Sequence, residues 1–132
     1  MSWGIGILLL SLFYSRGKKG SFSKLQFLAH AVRIPEGRED VRAMLQGKLR
    51  TSEISVRVEP WLNRAVALAH GLNLVEVTKG KSVSLTPKGG ELALVINTQT
   101  DVFQEERTFL AEVAPSLTDD RLAKIWRMES IL

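Results

Sequence analysis

From Val58 to Ile96 the apolar residues of this chain recur first with the period of a helix, then with that of a strand, then of a helix again. The punctuation between these segments is tight. Pro60 stands where a helix accepts proline, at the first position, whose N–H has no acceptor within the helix. Leu62, Ala65, Val66 and Ala69 then share one face, and Gly71 offers a left-handed residue to close the helix. Residues 74–78 and 82–85 read as two strands joined by a tip of Lys79, Gly80 and Lys81. Thr86 and Pro87 have the order of an N-cap and a first helical residue, with Leu92, Val95 and Ile96 turned inward.

Upstream, Trp3 to Tyr14 is an apolar run with leucine or isoleucine on every side, the pattern of a helix covered on more than one face. It is too short to span a bilayer, which takes roughly 20 residues. No basic residue precedes it, and Arg16, Gly17, Lys18 and Lys19 follow where a cleavage site would need small residues, so neither a leader nor an anchor is expected. A second helix starting at Ser21 or Ser23 buries Leu25, Leu28, Ala29 and Val32 and stops before Pro35. A third is expected from about Glu39 to Leu49, with Val41, Met44 and Leu45 on one face, and Ile54, Val56 and Val58 then alternate like a half-buried strand.

This order predicts an α+β, mostly α chain: a winged helix-turn-helix with an N-terminal hydrophobic helix and a C-terminal helical extension. Residues 1–97 form the winged-helix domain, with the helix after Pro60 in the recognition position and the Lys79–Lys81 hairpin as the wing. Residues 98–132 form the extension, packed on that domain or on a partner. Phe103, Phe109, Leu110 and Val113 anchor it, and Thr118, helped by Asp119 and Asp120, starts a last helix carrying Leu122, Ile125 and Trp126.

Catalytic and cofactor chemistry find little support in the residues. With no cysteine in 132 residues, thiolate chemistry and disulfides are excluded, and a reducing cytoplasm is the natural compartment. His30 and His70 have no carboxylate at ligand spacing and read as ordinary helix residues, so no metal is expected. The adjacent carboxylates Glu39/Asp40, Glu105/Glu106 and Asp119/Asp120 point in different directions on a helix and make no acid/base pair. The RGKKGS element lacks the spacing of a phosphate-wrapping loop. The expectation is a protein that binds rather than an enzyme, without cofactor.

Charge says more about partners. Residues 1–90 carry 14 Lys/Arg against 6 Asp/Glu, and residues 91–132 carry 4 against 8. The basic part suits nucleic acid or an acidic partner. Arg16, Lys18, Lys19, Lys24, Arg64, Lys79, Lys81 and Lys88 are the candidate contacts to duplex phosphate or to such a partner. The recognition position is poor in side chains that reach base edges, which argues against sequence reading. Trp3, Ile7, Leu10, Tyr14, Trp61, Met128 and Ile131 are the candidate apolar interface, since large apolar patches are unusual on a free monomer.

The strings RGKKGSFSKLQFLAHAVR, VEPWLNRAVALAHGLNLVEV and SLTPKGGELALVI give the chain a resemblance, over about Ile5 to Ile131. It is similar to the small middle components of bacterial three-component ABC-ATPase systems, including Lamassu-type anti-phage complexes. LTPKG after a wing is common among winged-helix regulators; RGKK before a KL pair and the proline-headed LNRA helix are more distinctive. Arg16, Lys18, Lys19, Lys24, Leu25, Pro60, Leu62, Asn63 and Arg64 are the positions that match. The resemblance implies a non-catalytic subunit that docks on an SMC-like ATPase and couples DNA sensing to an effector nuclease. The competing expectation is a stand-alone, dimeric winged-helix transcriptional regulator.

Overall fold

A computed structural model describes residues 3–48, 59–79, 81–99, 101, 103–118 and 120–122. Its centre is the first apolar run. Helix α1 (Trp3–Phe13) has Ile7, Leu8, Leu9, Leu10 and Leu12 each no more than 1 % exposed. Leucines on all sides are tolerated because four later helices and the sheet pack around them. The buried hydroxyls of Ser11 and of Ser15, two residues past the helix end, are satisfied by helix carbonyls, Ser11 Oγ donating to Ile7 and Ser15 Oγ to Ser11, both at 2.7 Å.

A short 3-10 turn (Arg16–Lys18) leads into strand β1 (Lys19–Ser21) and helix α2 (Phe22–Val32). Ser21 is the α2 cap, its hydroxyl accepting the Lys24 N–H at 3.1 Å. Ile34 is extended ahead of the proline, as expected, but Pro35 does more than stop α2. It occupies the first position of α3 (Pro35–Leu45), which therefore begins and ends four residues before the expected Glu39 and Leu49. The anticipated strand at Ile54, Val56 and Val58 lies outside the described residues.

Helix α4 (Pro60–Gly71) buries Leu62, Ala65, Val66 and Ala69, the face read from the sequence. Gly71 is its last helical residue, and the left-handed turn beyond it is taken by Asn73, with φ of 61°. Asparagine tolerates that region because its short polar side chain can bond locally. Strands β2 (Val75–Thr78) and β3 (Ser82–Leu85) pair antiparallel, with Thr78 opposite Ser82 and Lys79 at φ 52° turning the chain. The three strands form one antiparallel sheet in the order β1-β3-β2.

Helix α5 (Pro87–Thr98) starts at a junction of hydrogen bonds. Thr86 Oγ1 accepts the Gly89 N–H at 3.0 Å and donates to the Asn73 carbonyl at 2.7 Å, while Thr86 N–H reaches the Leu74 carbonyl at 3.1 Å. The helix start is thus fastened to the entrance of β2. Ala93 and Ile96 face the core, whereas Val95, expected inside, is 54 % exposed. Replacing Thr86 with valine is expected to lower stability by about 1–2 kcal/mol, because the cap and a carbonyl partner go together. An unchanged urea midpoint would contradict this assignment.

Helix α6 (Gln104–Val113) lies across α1 and α2 and buries Phe109, Leu110 and Val113 completely. Gly6 has no side chain because the Phe103 ring lies on α1 at that point; a Cβ there would be 2.8 Å from the ring edge. Arg38, 7 % exposed, donates to the Val32 carbonyl at the end of α2 and to Glu105 of α6, both at 2.8 Å. A buried guanidinium is acceptable here because its donors have partners and one partner is charged. Beyond α6, Thr118 Oγ1 accepts the Arg121 N–H at 3.1 Å, as expected of a cap, and Leu122 is buried. No helix among the described residues is long and apolar enough to cross a membrane.

Candidate interaction surface

The pairing of β1 with β3 brings together residues some sixty positions apart. Lys19 stands opposite Ser84, Gly20 opposite Val83 and Ser21 opposite Ser82, and Phe22 N–H donates to the Lys81 carbonyl at 3.2 Å. Alternation then sorts the sheet. Gly20, Val83 and Val77 share the inner face, while Lys19, Ser84 and Glu76 form one outer row and Ser21, Ser82 and Thr78 another. The outer face is hydroxyl-rich, with lysines at its margins.

Those lysines fall into two groups. Arg16, Lys18 and Lys19 lie at the β1 edge toward the base of the hairpin, and Lys79 and Lys81 lie at its tip; all five are exposed. At about 3.3 Å per residue, the length of β3 holds the groups roughly 10 Å apart. Lys18 is already engaged, its Nζ donating to the Phe13 carbonyl at 2.8 Å and lying 4.1 Å from the Phe13 ring centroid. Its ammonium therefore answers the negative end of α1. Lys88 is exposed at the start of α5, and Arg64 is exposed on α4.

Lys24 does not belong with them. It is 4 % exposed, and its ammonium donates to the Ala114 carbonyl at 2.9 Å, tying α2 to the end of α6. Sequence reading placed it on the surface because lysine usually is; its long apolar stem is what allows this one to cross the core.

The apolar candidates also divide. Ile7 and Leu10 are within the chain's own core, at 1 % and 0 % exposure, and offer nothing to a partner. Tyr14 is half-buried, its hydroxyl bonded to Asn97 Oδ1. Trp61 is half-buried, with its ring over Gly4 and edge-on to Trp3, centroids 4.9 Å apart. Its indole N–H has no acceptor among the described residues. Trp3 is 40 % exposed, and Met128 and Ile131 lie outside the described residues. The apolar surface that sequence reading missed is Leu68, Leu72, Leu94 and Val95, each more than half exposed. The signal was present for Leu68, which falls off the face of α4 that carries Leu62, Ala65, Val66 and Ala69; Leu72, the capping residue, continues the period of that face and gave none.

Two open clefts flank α6. One, of about 550 Å³, is lined by Pro35, Arg38, Glu39, Arg42, Gln104, Glu105 and Thr108. Its arginines are consumed by Glu39, Glu105 and Glu112. The other, of about 410 Å³, lies between Tyr14, Asn97 and Arg107. Glu59, 7 % exposed, meets His30 at 3.3 Å and Arg33 at 3.0 Å, and its backbone N–H donates to Gln26; this cluster fixes the entry to α4 against α2.

Comparison with known protein families, curated proteins and solved structures found no match to this chain.

Proposed function

We propose that this chain is a winged-helix adaptor, the small non-catalytic subunit of a cytoplasmic anti-phage complex. It docks on an SMC-like ATPase, touches duplex phosphates without reading sequence, and links that ATPase to an effector nuclease. The observation that carries this reading is the β1-β3-β2 sheet, formed from one strand after α1 and a hairpin after α4. A winged helix has a sheet of this kind, with two helices between its first strand and its hairpin where this chain has three; in this reading α4, the last of them, takes the recognition position and the Lys79–Lys81 tip is the wing. The RGKK element, part of the family likeness, thereby leads into the sheet that holds the hairpin, with its Lys19 on β1. The spacing of the two basic groups, roughly 10 Å along β3, suits phosphates rather than base edges.

Two measurements test it. A gene for a coiled-coil ATPase is predicted beside this one, and the full chain, co-expressed with that ATPase, is expected to co-purify with it. By fluorescence anisotropy it is expected to bind random-sequence duplex with a dissociation constant on the order of 10⁻⁵ M, falling in affinity as salt rises. Lys19→Glu combined with Lys81→Glu is expected to weaken that binding about tenfold without unfolding the chain. Failure to co-purify, or tight operator-selective binding by a homodimer, would replace the adaptor with a transcriptional regulator.

A further inference from the structure

Arg64 and Leu68 of α4 and Leu72, its C-cap, follow one another every four residues, and Leu72 N–H still donates to the Leu68 carbonyl at 3.0 Å, so the three form one ridge. All three are exposed, the leucines at 57 % and 53 %. The ridge ends at a second cation. Lys88 of α5 extends to the Leu72 carbonyl, Nζ to O at 3.2 Å, leaving two of its three donors free. The leucine pair is thus bracketed by Arg64 at one end and Lys88 at the other. Along α4 itself no carboxylate stands beside the ridge, for none occurs in the sequence between Glu59 and Glu76, and Glu59 is buried against His30 and Arg33; the exposed Glu91 lies one turn after Lys88 on α5.

A helix that enters a DNA groove presents hydrogen-bonding side chains to base edges. This ridge presents two isobutyl groups there, which would be set against a polar groove wall. Its complement is a protein surface of opposite charge. We infer that the Arg64–Leu68–Leu72 ridge with Lys88 is a docking site for an amphipathic helix of another protein, carrying apolar side chains at i and i+4 and carboxylates about one turn beyond each. The leucines pack into such a helix as ridge into groove, and the two cations set its register and direction. This rests on the adaptor reading and names the chemistry of the partner at one face.

The test places a photo-crosslinking amino acid at position 68 of the full chain in cells that carry the neighbouring genes, and maps the crosslinked residue by mass spectrometry. The expected product joins position 68 to an acidic, amphipathic helical segment of a different protein. A synthetic peptide of that segment should bind the purified chain, and Arg64→Glu with Lys88→Glu should weaken it about tenfold at low salt and less at high salt. Both residues are exposed; the milder Arg64→Gln with Lys88→Gln should give a smaller loss in the same direction. Crosslinks to nucleic acid or to a second copy of this chain, a basic target segment, or no crosslink would each overturn the docking site. If the ATPase still co-purifies in those cases, the adaptor reading stands and only this face is lost.

Discussion

Gly89→Ala is expected to cost about 3 kcal/mol or more, roughly 10 °C in melting temperature for a chain of this size. Elsewhere in a helix the same change is favourable, by about 1 kcal/mol, because alanine loses less backbone freedom on folding. Here the added methyl carbon would stand 1.9 Å from the Leu74 carbonyl oxygen and 2.9 Å from its carbon, inside van der Waals contact with backbone. That oxygen cannot step aside, because it accepts the Thr86 N–H at the junction of hairpin and α5. Steric overlap therefore wins over entropy. Gly90 supplies the control, since a Cβ at that position meets nothing within 4 Å. Gly90→Ala should melt at or slightly above the parent temperature. Equal melting of the two variants would mean that α5 does not start against β2 as described.

Leu9→Ala is expected to cost roughly 2–5 kcal/mol, through lost burial and the cavity left behind. Leu9 is fully buried at the middle of α1, against elements that come from both halves of the chain. In a urea titration the midpoint should fall while the slope holds, the mark of lost stability without a change in the surface exposed. The same variant separates two pictures of α1. If the helix covered a partner instead of filling this core, the isolated protein would keep its midpoint and only association would suffer.

The caps and the hairpin were legible because their causes are local. Thr86 with Pro87, and Pro60 before Leu62, each settle a helix start within a few residues, and the Lys79–Lys81 tip sets the register of its own strands. Pro35 was half-read. The same residue that excludes a helical Ile34 is well suited to begin the next helix, so stop and start are separated only by Arg33 and Ile34. Strand β1 was illegible, since Lys19, Gly20 and Ser21 have neither period nor β propensity and become a strand only by pairing with β3.

The candidate surface was legible in composition and not in placement. Exposed Arg16, Lys19, Arg64, Lys79, Lys81 and Lys88 fit the expectation for basic side chains, while Lys24 is inside because its amine finds a carbonyl across the core. Hydrophobicity carries no address: Ile7 and Leu10 had to be covered, and nothing in their identity said that α4, α5 and α6 would do it rather than another protein. For the opposite reason Leu68 and Leu72 escaped notice, as isolated exposed leucines are ordinary until a second helix brings Lys88 alongside.

The central position of α1 sets an order of events at the ribosome. Translation delivers this greasy rod before most of its wrapping, since α4, α5 and α6 all follow it in the chain. Until they emerge, a helix with leucine on every side has little more than α2 for shelter, and contacts that close such long loops form slowly. The nascent chain therefore passes through an interval of sticky exposure in which a chaperone, or a partner translated alongside, competes with self-association.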